Sequence, residues 1–142
     1  MALIRVTGGT DFDIIAKGDY EVYVEAFDEP EVNGEFERSS LLLRIRDDIE
    51  QEFQNRSIYV NLNTNPNIAW KLSNIATAAG IPEGTEFQTL KEYLSDLKGA
   101  SMKVKLDHRE YNGKTYPDVK RFYATSEAPY VLEEDSTEDS LI

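Results

Sequence analysis

Residues Lys103–Tyr123 read KVKLDHREYNGKTYPDVKRFY. Two alternating runs flank Asn112-Gly113, and Asn-Gly between such runs is a strong short-range signal for a two-residue hairpin turn. A turn there sets the pairing. Arg109 falls opposite Tyr116, Asp107 opposite Asp118, Lys105 opposite Lys120, Lys103 opposite Phe122, and Tyr111 opposite Lys114. These side chains share one face. Met102, Val104, Leu106 and His108 share the other with Pro117, Val119, Arg121 and Tyr123. That second face is mostly apolar and is expected in the core, and Arg121 within it hints at a bulge or an edge.

Working back along the chain, GDYEVYVEAF (residues 18–27) places Tyr20, Val22, Val24 and Ala26 on one face, the period-2 mark of a half-buried strand. LLLRIR (residues 41–46) repeats the pattern with Leu41, Leu43 and Ile45. A turn at Asn33-Gly34 would set Val24 opposite Leu43 and Ala26 opposite Leu41. SIYVNLN (residues 57–63) is a third strand, with Ile58, Val60 and Leu62 inward. LIRV (residues 3–6) is a further short strand candidate.

Two helices follow. Asn65 suits an N-cap and Pro66 the first helical position, ahead of an apolar stripe of Ile68, Leu72, Ile75, Ala76 and Ala79 that Gly80 ends. Thr85 and Gln88 have capping-box spacing before a second stripe of Leu90, Tyr93, Leu94 and Leu97. The order is three strands, two helices, two strands. The expected class is mainly β with helices (α+β). The expected form is an OB-fold-like five-stranded barrel with two helices between strands 3 and 4. The alternative is an open α+β sheet with helices on one face.

The 142 residues, 40% hydrophobic and 30% charged, suit one globular domain. The absence of cysteine excludes disulfides and thiolate metal sites, and one histidine, His108, cannot build a multi-histidine zinc site. No apolar run approaches the ~20 residues of a membrane span, and MALIRVTGGTDFD lacks a signal-peptide core. A cytoplasmic protein with no metal, cofactor or membrane contact is expected.

The net charge of -12 is unevenly spread. Residues 127–142 carry six acids and no base, whereas residues 101–123 carry six bases against three acids. Residues 1–126 therefore read as the folded domain and residues 127–142 as a disordered acidic tail. The hairpin face gathers five bases (Lys103, Lys105, Arg109, Lys114, Lys120) and three aromatics (Tyr111, Tyr116, Phe122). Tyr23, Phe27 and Arg44 also point away from their apolar faces and extend this platform. Single-stranded nucleic acid suits it: cations meet phosphates, and flat rings stack on bases at about 1–3 kcal/mol each. Against this stand ordinary roles for tyrosine and lysine in strands, and the Asp107–Asp118 pair, which repels phosphate.

In the tail, Glu133, Glu134, Asp135, Glu138 and Asp139 precede the apolar Leu141-Ile142. Such a tail can compete for a basic groove at an effective concentration on the order of millimolar, or recruit partner proteins. It loosely resembles the tails of bacterial single-strand binding proteins, which usually end in phenylalanine.

Other constellations carry less. Gly113-Lys114-Thr115 looks like the end of a P-loop, but the position five before Gly113 is His108 and no helix follows. Asp47, Asp48, Glu50 and Glu52 crowd a short stretch that reads as a solvated connector, with no EF-hand spacing. His108, beside Pro117, reads as a hydrogen-bonded structural histidine. No nucleophile-elbow motif is present, so no enzyme is expected. Trp70, off its helix stripe, either caps the barrel or serves a subunit contact, which leaves homo-oligomerisation open.

AKGDYEVYVEAF (16–27), LLLRIRDDIEQEFQNRSIYVNL (41–62), AGIPEG (79–84) and KVKLDHREYNGKTYPDVKRFY (103–123), in which YNGKTYPDVKRF is the most specific phrase, together resemble a family of phage and prophage proteins catalogued as a domain of unknown function. Its members are regarded as phage single-strand DNA-binding proteins. The resemblance implies a sequence-tolerant single-stranded DNA-binding protein in phage replication or recombination, acting in the bacterial host cytoplasm. Its tail would engage a phage recombinase or replication protein. The competing expectation is an acidic adaptor or DNA-mimicking module that docks a basic protein.

Overall fold

The computed structural model describes residues 14–131. The LIRV segment and the tail residues Glu133, Glu134, Asp135, Glu138, Asp139, Leu141 and Ile142 lie outside the described residues.

Among the described residues, alternating sequence becomes strand wherever it was expected. The strands are β1 (Gly18–Phe27), β3 (Phe36–Ile45), β4 (Ser57–Asn63), β5 (Ser101–Tyr111) and β6 (Lys114–Ala124), with a short β2 (Glu31–Asn33). All pair antiparallel. One side of β3 pairs with β4, and the other pairs with β1 and then β2. The sheet therefore runs β4-β3-β1-β5-β6, with β2 extending the line of β1. Strands β1, β3 and β4 are successive neighbours, and β5 returns across the helices to lie beside β1, a Greek-key arrangement.

The class is α+β, but the sheet is open. Closure of the expected OB-fold-like five-stranded barrel would need a ladder between β4 and β6, and among the described residues none forms. A cleft of about 270 Å³ lies there instead, lined by Tyr59, Lys71, Arg109, Pro117 and Asp118 among others. Pro117 has no N–H to give a ladder and suits an edge strand.

The first helix begins with a 3-10 turn, Pro66–Ile68, capped by the Asn65 side chain, which accepts from the Asn67 amide at 2.9 Å. It continues as α1 (Ala69–Ala78). Helix α2 (Leu90–Leu97) starts one turn later than the Thr85–Gln88 spacing predicts. Thr89 is its cap, accepting from the Glu92 amide at 3.2 Å, while the Glu92 carboxylate accepts from the Gln88 amide at 2.8 Å. Thr85 instead donates its hydroxyl to the Pro82 carbonyl, closing a local turn. The stripe Leu90, Tyr93, Leu94 and Leu97 is fully buried. It joins Val22, Val24, Leu41, Leu43, Ile45, Ile58, Val60, Leu62, Ile75, Met102, Val104 and Leu106 in one core.

Two bulges reset the faces of the sheet. In β1, Val24 faces Leu43 as expected, but Ala26 faces Leu42 rather than Leu41, so Glu25 is the extra residue. In β6, Val119 faces Leu106 and Arg121 faces Lys105, so Lys120 is the extra residue. An extra residue in one strand turns every side chain beyond it to the opposite face.

Candidate nucleic-acid interface

The hairpin turn forms where expected. Asn112 and Gly113 have φ of 54° and 78°, the paired positive values a type I′ turn requires. From that turn the predicted register holds through Asp107–Asp118. Arg109 lies over the Tyr116 ring at 5.8 Å, a cation–π contact on the outer face. Tyr111 and Lys114 sit opposite one another beside the turn, both exposed. Asp107 and Asp118 do face each other, but each has a lysine partner: Lys17 at 3.4 Å and Lys120 at 3.3 Å. The Asp107 carboxyl is held below its usual range, first by the hydrogen bond it accepts from the His108 amide. His108 Nε2 lies 2.8 Å from the Ile15 carbonyl. A carbonyl can only accept, so Nε2 carries the proton and the ring ties β5 to the segment before β1.

Past the Lys120 bulge the faces differ from the expected ones. Phe122 sits opposite Val104 and packs against the core, not on the platform. Lys120 is the exposed bulge residue. Arg121 and Tyr123 take the outer positions opposite Lys105 and Lys103. Phe27 is displaced in the same way by the Glu25 bulge and packs against the core. Arg44 stays on the outer side, but Glu25 holds it at 2.6 Å and it also donates to the Asn55 carbonyl at 2.7 Å.

The outer hairpin face therefore holds Lys103, Lys105, Arg109, Tyr111, Lys114 and Tyr116 from the expected set, with Arg121 and Tyr123 added. Two more residues reach its margin across the β4–β6 cleft. Tyr59 is 68% exposed. Lys71 donates from Nζ to the Asn61 carbonyl at 2.9 Å, and burial, with Arg109 nearby, lowers its pKa. Tyr59 was legible as an outward strand position between Ile58 and Val60. Nothing in a helix stripe signals that Lys71 lies beside β6.

Tyr23 is the largest departure. It is on the outer face, yet only 6% exposed, because the chain beyond β6 crosses back over it. Tyr130 stacks on Tyr23 with ring centroids 4.0 Å apart and planes 8° from parallel. Burial, then the hydrogen bond with Tyr130, raises the Tyr23 pKa. Thr125 and Ser126 donate hydroxyls to the Glu21 carboxylate, Arg46 donates to the Ala128 carbonyl at 2.7 Å, and the Tyr130 amide donates to Ser101 Oγ at 2.8 Å. The domain's packing thus extends past residue 126, the expected boundary, to Tyr130. Asp48, expected in a solvated connector, forms a two-pronged pair with the buried Arg46 at 2.9 and 2.8 Å.

A family model described as Protein of unknown function (DUF669) matches residues 5–130. The chain belongs to this family. The DUF669 match ends at Tyr130, so the family domain takes in the whole segment that crosses the sheet. No curated protein matches the chain. Among the described residues, no helix is long and apolar enough to cross a membrane, and no group of three or more His, Asp or Glu side chains is placed to hold a metal.

Proposed function

We propose that this DUF669 protein binds single-stranded DNA without sequence preference, on the outer face of the β5–β6 hairpin. The carrying observation is the alignment of Lys105, Arg109, Lys114 and Arg121 with Tyr111, Tyr116 and Tyr123 on one uncovered face of a protein whose net charge is -12. The lysine partners of Asp107 and Asp118 weaken the objection that this face repels phosphate. The Greek-key strand order supports an OB-like reading, since that fold is a partly open five-stranded barrel. The protein performs no chemistry in this reading. It holds strands unpaired; in this reading, which the resemblance to phage proteins supports, it acts in phage replication or recombination and its acidic tail recruits partner proteins.

The test is a fluorescence-anisotropy titration of the full chain with labelled oligo-dT across salt concentrations, with duplex DNA as control. Four phosphate contacts correspond to a slope of log affinity on log salt of about -3. Weaker binding to duplex is expected. No binding to the single strand at low salt would overturn the reading and favour the acidic adaptor, to be sought with basic protein partners.

A further inference from the structure

We propose that the surface beneath residues 125–130 is a second, covered site for one nucleotide of a single strand, with the Tyr130 ring in the place of its base. The proposal rests on the single-strand reading above and adds a site, a base preference and a release step to it.

Among the described residues, three polar or charged residues are buried: Glu21, Arg46 and Ser101. All three lie under this segment and each bonds to it. A surface needed only to anchor a chain end gains most from apolar contacts, because burying polar groups costs unless every one is matched. This one is matched incompletely, since Arg46 Nη1 is buried without a hydrogen-bond partner. The floor is rigid: Gln51 accepts from the Glu21 amide and donates to the Glu21 and Arg46 carbonyls, each at 3.0 Å. The cover is held through side chains rather than by a backbone ladder. Among the described residues no backbone-to-backbone hydrogen bond ties residues 125–131 to the sheet, and residues 126–129 are exposed. Such a segment can open locally without breaking the ladder of the sheet.

The groups under the cover match a nucleotide. Tyr23 offers a ring face, already engaged in a parallel stack. Arg46 offers the unpaired Nη1 to a base carbonyl or phosphate oxygen. Glu21 now accepts from two hydroxyls, and its carboxylate equally accepts from an exocyclic amine. Cytosine has that amine and thymine lacks it, so the site favours oligo-dC over oligo-dT.

The experiment uses the full chain with labelled oligo-dC and oligo-dT. Tyr130→Ala removes the stacked ring, and Ser101→Ala independently removes the acceptor of the Tyr130 amide. Both variants are expected to tighten oligo-dC binding by roughly fivefold or more, because affinity scales with the fraction of open molecules. The gain should be smaller on oligo-dT, and Tyr23→Ala added to Tyr130→Ala should erase it. In the unaltered chain, oligo-dC should strip hydrogen-exchange protection from the Tyr130 amide. If the unaltered chain binds while neither variant tightens and that protection persists, the covered site is wrong and the hairpin reading stands. If neither the unaltered chain nor either variant binds any single strand, both fail.

Discussion

Arg46 and Asp48, two residues apart, form a pair whose members differ in solvent access: the Arg46 side chain is 2% exposed and that of Asp48 is 45%. The guanidinium is buried just past the end of β3, and Asp48 is its two-pronged partner. Breaking such a pair leaves a buried charge behind, which costs more than the pair contributes.

Asp48→Asn is therefore expected to destabilise the fold by about 1–3 kcal/mol at neutral pH, with the exposure of Asp48 keeping the loss modest. Hydrogen bonding from Arg46 holds the Asp48 carboxyl below its usual range. A depressed folded-state pKa gives a contribution that is full above the unfolded value of about 4 and is lost as pH falls through the folded value. Urea unfolding across pH should show the unaltered chain and Asp48→Asn converging in stability below pH about 4.

Tyr116 and Phe122 occupy the same strand on opposite faces. Tyr116→Ala should weaken oligo-dT binding by about 1–3 kcal/mol, roughly five- to 150-fold, with thermal stability nearly unchanged. Phe122→Ala should destabilise by about 2–4 kcal/mol, because it opens space against Val104 and the core. A Tyr116 variant that melts early while Phe122→Ala does not would reverse the assigned faces.

Gly113 stands at φ 78°, and a Cβ there would meet nothing within 4 Å. The cost of Gly113→Ala is therefore backbone strain, about 1–2 kcal/mol by urea unfolding. No loss would mean that the turn is not type I′.

The two candidate caps of α2 are separable. Thr89→Ala should cost about 1 kcal/mol, since it frees the Glu92 amide. Thr85→Ala should stay within about 0.5 kcal/mol, because its hydroxyl serves a surface turn alone.

One register expectation held through compensating shifts. The turn before β3 is Gly34-Glu35, not Asn33-Gly34, since Asn33 itself pairs with Phe36. The break between β1 and β2 and the bulge at Glu25 then absorb the difference, and Val24 still meets Leu43. Ala26, beyond the bulge, does not keep its expected partner.

The five long strands, though not β2 or the first half of β3, both helix stripes and the Asn112-Gly113 turn were legible because each arises from neighbours a few residues apart: alternation, 3.6-residue spacing, two positive φ values. So was the clustering of bases and tyrosines on one hairpin. The inward turn of Phe27 and Phe122 was not legible, because simple alternation carries no mark of an inserted residue. The cover over Tyr23 was hidden for a related reason. Arg46 meets Ala128 across 82 residues of chain, and Glu21 meets Thr125 across 104. No local pattern spans such distances, so those contacts exist only once the folded sheet has brought its two ends together.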